Sequence, residues 1–277
     1  MGSLAISNDE LENLKGIIRE EKLNCESVKN SYELLRIKEN DIVIIVYRSG
    51  NLVYNDSDAS KQIVNSILIK DFEYDFILGS DETGKGEWFG PLVVVATALT
   101  PDEIVDLRML SVQDSKKIKK SQLLKLGKKL KNMDFQRYSV ILNPRSYNKL
   151  YSKLQREGKS LNDMMAWAHS VVIKELIEKI EFKKVKVVID KFDFEKTEYR
   201  LENVDKRNLE IIQKSGGESE IPVAAASIIA KYLFELEVDK LNEKYQIDLR
   251  KVKPKDVSLD VLPTVAKVHF KNIKNIL

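Results

Sequence analysis

Ile77-Leu-Gly-Ser-Asp81-Glu82-Thr-Gly84-Lys85-Gly86-Glu-Trp-Phe-Gly90-Pro91 is the stretch that decides how this 277-residue chain is read. The apolar run Phe76–Leu78 ends in two adjacent carboxylates, a glycine-rich turn follows, and a second apolar run returns from Leu92 to Ala98. Apolar runs bounded by Gly and Pro read as buried strands joined by a tight loop. A charge at the end of a core strand is costly unless it is paired or bound to metal. Adjacent acids beside a turn are in most proteins solvated surface. Here a second strand-like run, Val185–Asp190, ends the same way. Two core strands delivering Asp81 and Asp190 suggest one site assembled from distant segments, with oxygen donors suited to Mg2+ or Mn2+.

Gly79-Ser-Asp-Glu-Thr-Gly84-Lys85 also fits half of a phosphate-binding P-loop, but Gly86 stands where Ser or Thr is required. A P-loop should run straight into a helix, whereas Pro91 and a β-branched run follow. Asp81 and Glu82 would moreover point negative charge into a cradle for anions. That reading is excluded.

Composition narrows the class. Hydrophobic residues make up 43%, enough for a core, and no stretch approaches the ~18 consecutive apolar residues of a membrane span. The N-terminus carries no signal-peptide pattern. One cysteine, Cys25, and two histidines exclude an internal disulfide framework and argue against structural zinc. A cytoplasmic, reducing setting is expected, with Cys25 a bystander. Residues 1–72 hold 9 Lys/Arg against 12 Asp/Glu, so the remainder carries the positive excess of the +3 chain. Within it, 116–131 (KKIKKSQLLKLGKKLK) has eight lysines and no acid. Leu123, Leu124, Leu126 and Leu130 could make it a solvated amphipathic helix, yet its field also suits a polyanion.

Residues 8–23 read as an amphipathic helix capped by Asn8 or Asp9. Strand-like runs follow at 31–37, 42–47 and 51–54, then a helix at 58–69. This predicts a small α/β unit over 1–72. From 73 to 277, strands at 75–82, 91–99, 134–142, 185–190 and 207–213 and helices at 121–131, 144–155, 161–180, 223–244 and 264–276 predict a mixed sheet flanked by helices, an α/β fold. In Pro222-Val-Ala-Ala-Ala-Ser227-Ile-Ile-Ala-Lys231-Tyr-Leu-Phe-Glu235 the small residues allow close packing, and Ser227, Lys231 and Glu235 fall on one helical stripe. His169, beside Trp167 in a helix, reads as packing. His269 could contact substrate or support the site, and Trp88 could pack or stack.

Five segments in order resemble type 2 ribonucleases H, most closely ribonuclease HIII: Gly79–Gly86 with Phe89-Gly90-Pro91, Asp114-Ser115-Lys116, Val188–Phe192, Ala224–Lys231 and Ala266–Phe270. They cover most of 77–272. Residues 1–72 look like that family's TATA-binding-protein-like domain, with Val46–Tyr54 similar to its central hairpin. The resemblance implies a ribonuclease H fold that cleaves the RNA strand of RNA–DNA hybrids with two Mg2+ or Mn2+ ions, leaving 3′-hydroxyl and 5′-phosphate ends, and a protein expected to act as a monomer. Asp81, Glu82 and Asp190 map onto the family's metal-binding acids. For a fourth acid two positions remain open, Glu235 on the alanine-rich helix and Glu195 beside Phe194, with Glu235 preferred because a helix fixes its direction. Gly84, Lys85 and Gly86 match the ribose-sensing loop, and Ser227 and Lys231 are expected on the substrate side. Residues 1–72 should help hold substrate through a local face around Arg36, Lys38 and Arg48. The alternative is a hybrid-binding protein that keeps the fold without turnover.

Overall fold

The computed structural model describes residues 1–69, 73–110, 112, 119–190, 208–214, 217 and 220–277. They form two compact units, Met1–Glu73 with Thr100–Val112, and Tyr74–Leu99 with Gln113–Leu277.

The first unit opens with strand β1 (Gly2–Ala5) and helix α1 (Asn8–Glu20), followed by β2 (Glu33–Glu39), β3 (Ile42–Tyr47), β4 (Asn51–Tyr54) and α2 (Asp58–Ile69). The strands pair antiparallel in the order β1-β4-β3-β2. Alternation decides the faces: Ile44 and Val46 of β3 and Leu52 and Tyr54 of β4 are buried against Leu14, Val64 and Ile67 of the helices. The α1 cap is Ser7 rather than Asn8 or Asp9, because Ser7 and Glu10 form a reciprocal capping box. A domain boundary at residue 72 omits helix α3 (Pro101–Met109), which packs on α2 and β1, places Val105 in the first unit's core and pairs Arg108 with Glu10. Of the basic face expected around Arg36, Lys38 and Arg48, Lys38 and Arg48 are exposed and Arg36 is not. Arg36 is buried on Glu33 at 2.6 Å, holding that carboxyl at about 2, and Arg48 Nε donates to the Ser31 carbonyl at 3.0 Å.

The second unit contains β5 (Phe76–Thr83), β6 (Leu92–Leu99), α4 (Lys120–Asn132), β7 (Gln136–Leu142), α5 (Pro144–Arg156), α6 (Leu161–Ile177), β8 (Val185–Asp190), β9 (Leu209–Lys214) and α7 (Ile221–Tyr245). Its sheet runs β7-β6-β5-β8-β9, antiparallel from β5 to β7 and parallel from β5 to β9. Every residue of β6 is buried, as a continuous apolar run requires when both faces of a sheet are covered. One face packs on α5 and α6 through Leu78, Val94, Tyr147, Met165 and Val172, and α7 lies against β5 and β6.

The helix expected at 264–276 is replaced by two single turns, α8 (Leu262–Val265) and α9 (Lys271–Lys274). Between them Ala266 bridges to Phe89, and the Lys267 N–H and Val265 carbonyl bond to the turn after β5 rather than continuing a helix. Among the described residues no helix is long and apolar enough to cross a membrane.

Candidate active site

The site begins with a close approach. A Cβ on Gly79 would stand 2.2 Å from the Val223 nitrogen, so glycine is what lets the start of α7 lie directly on β5. Thr97 of β6 reinforces the contact, its hydroxyl donating to the Pro222 carbonyl at 2.9 Å. Ala224, Ala225 and Ala226 are buried there. The result is that the Ser227 hydroxyl comes beside the Asp81 carboxylate, where it favours the ionised form.

Successive strand residues face opposite ways, so Asp81 meets α7 while Ser80 and Glu82 meet α6. His169 of α6 is fully buried between these two. Its Nδ1 is 2.9 Å from Ser80 Oγ and its Nε2 is 3.3 Å from Glu82 Oε2. With Nε2–H donating to the carboxylate, Nδ1 accepts from the serine hydroxyl. His169 is therefore not the packing residue that its place on an apolar helix suggests.

Asp190 ends β8. The parallel register pairs Ser80 with Ile189, so Asp81 and Asp190 each follow the last matched pair on strands ~4.8 Å apart. The Asp190 side chain lies outside what the structure describes, as do Asp114, Ser115, Lys116 and Glu195 in full.

Burial pushes the Asp81 carboxyl up to about 6; the Ser227 hydrogen bond works against this, and the charge of Glu82 adds to it. Burial acts on Glu82 too, but the hydrogen bond from His169 leads the opposing effects, joined by the charge of Lys85, and that carboxyl is held low. Among the described residues no group of three or more His, Cys, Asp or Glu side chains is placed to hold a metal by itself. The donor chemistry nonetheless fits a hard divalent ion, because Asp81 and Glu82 offer oxygen alone and burial makes the ionised form of Asp81 costly until a cation joins it.

The turn after β5 is shaped by Gly84, whose φ of +96° favours glycine and whose Cβ would meet the Pro91 carbonyl oxygen at 2.2 Å. Gly86 is exposed with open space beside it. Lys85 Nζ lies 3.8 Å from Glu82 Oε1. Lys231 is exposed, one turn beyond Ser227.

Glu235, expected to share a face with Ser227 toward Asp81, lies two turns further along α7, ~12 Å from Ser227 in axial rise. Its Oε1 takes Lys120 Nζ at 2.7 Å and its Oε2 takes Arg250. These ion pairs join α4 and the segment after α7 to the long helix. In α4, Leu130 and Gly127 are buried while Lys125, Lys128 and Lys129 are exposed. Trp88 is 43% exposed on the turn, and His269 stacks within Tyr147, Tyr151 and Phe270.

The family model described as ribonuclease HII matches residues 78–272. Ribonuclease HIII of Chlamydia pneumoniae is 30% identical over 290 residues, covering 95% of this chain and 94% of that protein. Ribonuclease HIII of Oceanobacillus iheyensis is 31% identical over 259 residues, covering 85% and 81%. The crystal structure of Bst-RNase HIII in complex with Mn2+ is 23% identical, with a TM-score of 0.64 over 99% of this chain and 97% of that one, and shows the ribonuclease H-like fold. The sequence match over most of the chain and the shared fold agree: this chain belongs to the ribonuclease HIII family of ribonuclease H endoribonucleases.

Proposed function

We propose that this ribonuclease H hydrolyses the RNA strand of an RNA–DNA hybrid with two divalent ions, Mg2+ or Mn2+, held by Asp81, Glu82 and Asp190, and leaves 3′-hydroxyl and 5′-phosphate ends. The observation that carries the reading is the register of β5 and β8, which brings the Asp81 and Asp190 positions to one edge of the sheet beside Glu82. The Mn2+ in complex with Bst-RNase HIII supports the class of ion. When bound, paired ions of this kind activate the attacking water and stabilise the leaving oxygen.

The chain's own part is placement. Ser227 and His169 hold the Asp81 and Glu82 carboxylates from opposite faces of β5. Gly84, Lys85 and Gly86 form the turn whose backbone can reach the ribose 2′-hydroxyl, the group that separates RNA from DNA. Lys85 and Lys231 supply positive charge for the flanking phosphates. The role expected of Glu235 as a fourth acid gives way to a structural one, since two cations already take its oxygens. Residues 1–72 with α3 act as a TATA-binding-protein-like substrate-holding domain of a monomeric cytoplasmic enzyme, where Cys25 stays reduced.

The test is cleavage of an end-labelled hybrid in Mg2+, in Mn2+ and in chelator, with the product ends assigned by phosphatase and ligase treatment. Metal-dependent cuts in the RNA strand with 5′-phosphates are expected. Cleavage in chelator, or 5′-hydroxyl products, would overturn the mechanism.

A further inference from the structure

Lys267 is fully buried, an unusual place for a lysine. Its Nζ donates to two main-chain carbonyls of the turn after β5, those of Glu87 and Gly90, both at 2.8 Å. It also lies 5.6 Å from the centroid of the Tyr147 ring, within reach of a cation–π attraction. The backbone repeats the contact: Lys267 N–H donates to the Trp88 carbonyl at 2.8 Å, and Gly90 N–H donates to the Val265 carbonyl at 2.9 Å.

The segment that carries Lys267 is itself anchored. Asn148 of α5 donates to the carbonyls of Pro263 at 3.0 Å and Ala266 at 2.9 Å, and accepts from the Val268 N–H at 3.0 Å. Residues 263–268 thus form a strap fixed on α5, with one long side chain reaching under the turn. Burial pushes the ammonium down to about 7, while the charge of Glu87 works the other way. Ammonium and amine both keep two N–H groups for the two carbonyls. An apolar side chain of similar length would fill the space without that burial cost, so the polar head is explained by what it holds.

What it holds leads to the substrate-facing turn. The Glu87 N–H donates to the Gly84 carbonyl at 3.3 Å, so the residue gripped by Lys267 also closes the turn over Lys85 and Gly86. In a planar trans peptide the carbonyl and the next N–H point opposite ways. Drawing the Glu87 carbonyl inward therefore turns the Trp88 N–H away from the core.

We propose that Lys267 is a positioning residue for substrate recognition, gathering the Glu87 and Gly90 carbonyls so that the Gly84–Gly86 turn is held in the shape that meets the hybrid's ribose. The inference rests on the reading of that turn as the ribose-facing element.

Lys267→Met removes both donors and keeps the length. In this variant the KM for a hybrid should rise about tenfold with kcat within about threefold, the signature of lost binding rather than lost chemistry. Mn2+ affinity should stay unchanged. Amide exchange across 84–88 should quicken about tenfold or more while β5 and β6 keep their protection. Should the methionine variant not fold, Lys267→Gln, which retains a shorter donor, is judged by the same criteria. Unchanged exchange in the turn of a folded variant overturns the clamp and leaves the nuclease assignment intact. Faster exchange with an unchanged KM overturns the link to substrate, and with it the reading of the turn. A parallel loss of Mn2+ affinity overturns the proposal by making Lys267 a support of the whole sheet end.

Discussion

Glu82 and Glu235 are alike in type and nearly alike in exposure, 17% and 12% of their side chains, yet their surroundings are opposite. Glu235 has a lysine on one oxygen and an arginine at the other, and Glu33 in the first unit is likewise held by Arg36. Glu82 is met by an imidazole, with Lys85 standing off at 3.8 Å, and its neighbour Asp81 by a serine hydroxyl. A carboxylate whose oxygens are filled by the chain's own cations serves as a tie. One oriented by polar groups still presents negative charge to whatever enters. Scaffold and site are thus separated by the partners of the acid, not by its burial.

The largest effect should come from removing charge at the site. Asp81→Asn and Asp190→Asn are each expected to lower turnover by at least ~10²–10³-fold, measured at saturating Mg2+, with hybrid binding largely retained. Substantial activity in either variant would erase the distinction.

Next comes the support of Glu82. His169→Ala should weaken Mn2+ binding by ~10–100-fold, read by titration calorimetry, and His169→Gln should recover part of it. Unaltered affinity would return His169 to a packing role.

A third effect is in pH. With its carboxyl pushed up to about 6, Asp81 must release a proton to take a cation, so Mn2+ affinity should fall as pH drops through about 6. For the metal-free protein the sign is the reverse of a salt-bridged acid. Between the ordinary value of 3.8 and about 6 the folded state keeps a proton the unfolded state has lost, so stability declines as pH rises across that window and stays lower above it. Asp81→Asn should therefore melt higher than the parent at pH 8 without metal, and the difference should vanish near pH 3. A lower melting temperature at pH 8 would contradict the burial argument.

The smallest change in activity belongs to Glu235→Gln, with turnover within about threefold and a stability loss of ~1–3 kcal/mol in denaturant unfolding. Loss of turnover with unchanged stability would exchange the roles assigned to Glu235 and Glu82.

The sheet and the neighbouring strand-end positions of residues 81 and 190 were legible because both rest on local signals. Apolar runs of strand length with acids at their ends specify element and position together. His169 was not legible, since its contact depends on how α6 lies across β5, which no spacing within α6 records. Glu235 shows the limit of helical periodicity. The stripe through Ser227, Lys231 and Glu235 drifts ~40° and climbs ~6 Å with every step of four, and the partner Lys120 lies 115 residues away. The C-terminal segment carries a helix-like pattern, but its polar backbone found the turn after β5 instead. Helix α3 was within reach, for Thr100-Pro101-Asp102-Glu103 is a capping box with proline at the first helical position.

That helix has a consequence for the order in which the protein is made. The first unit needs residues up to Val112, but the chain leaves it after Glu73 to lay down β5 and β6 before returning. At ~5–20 residues per second, the first 73 residues wait some 2–8 seconds on the ribosome for their last helix. Until then the apolar surface that receives Val105 stays uncovered and Glu10 lacks Arg108. During synthesis the nascent first unit is a partial core held open by its own gene order, and a chain cut at residue 72 would stay in that unfinished state.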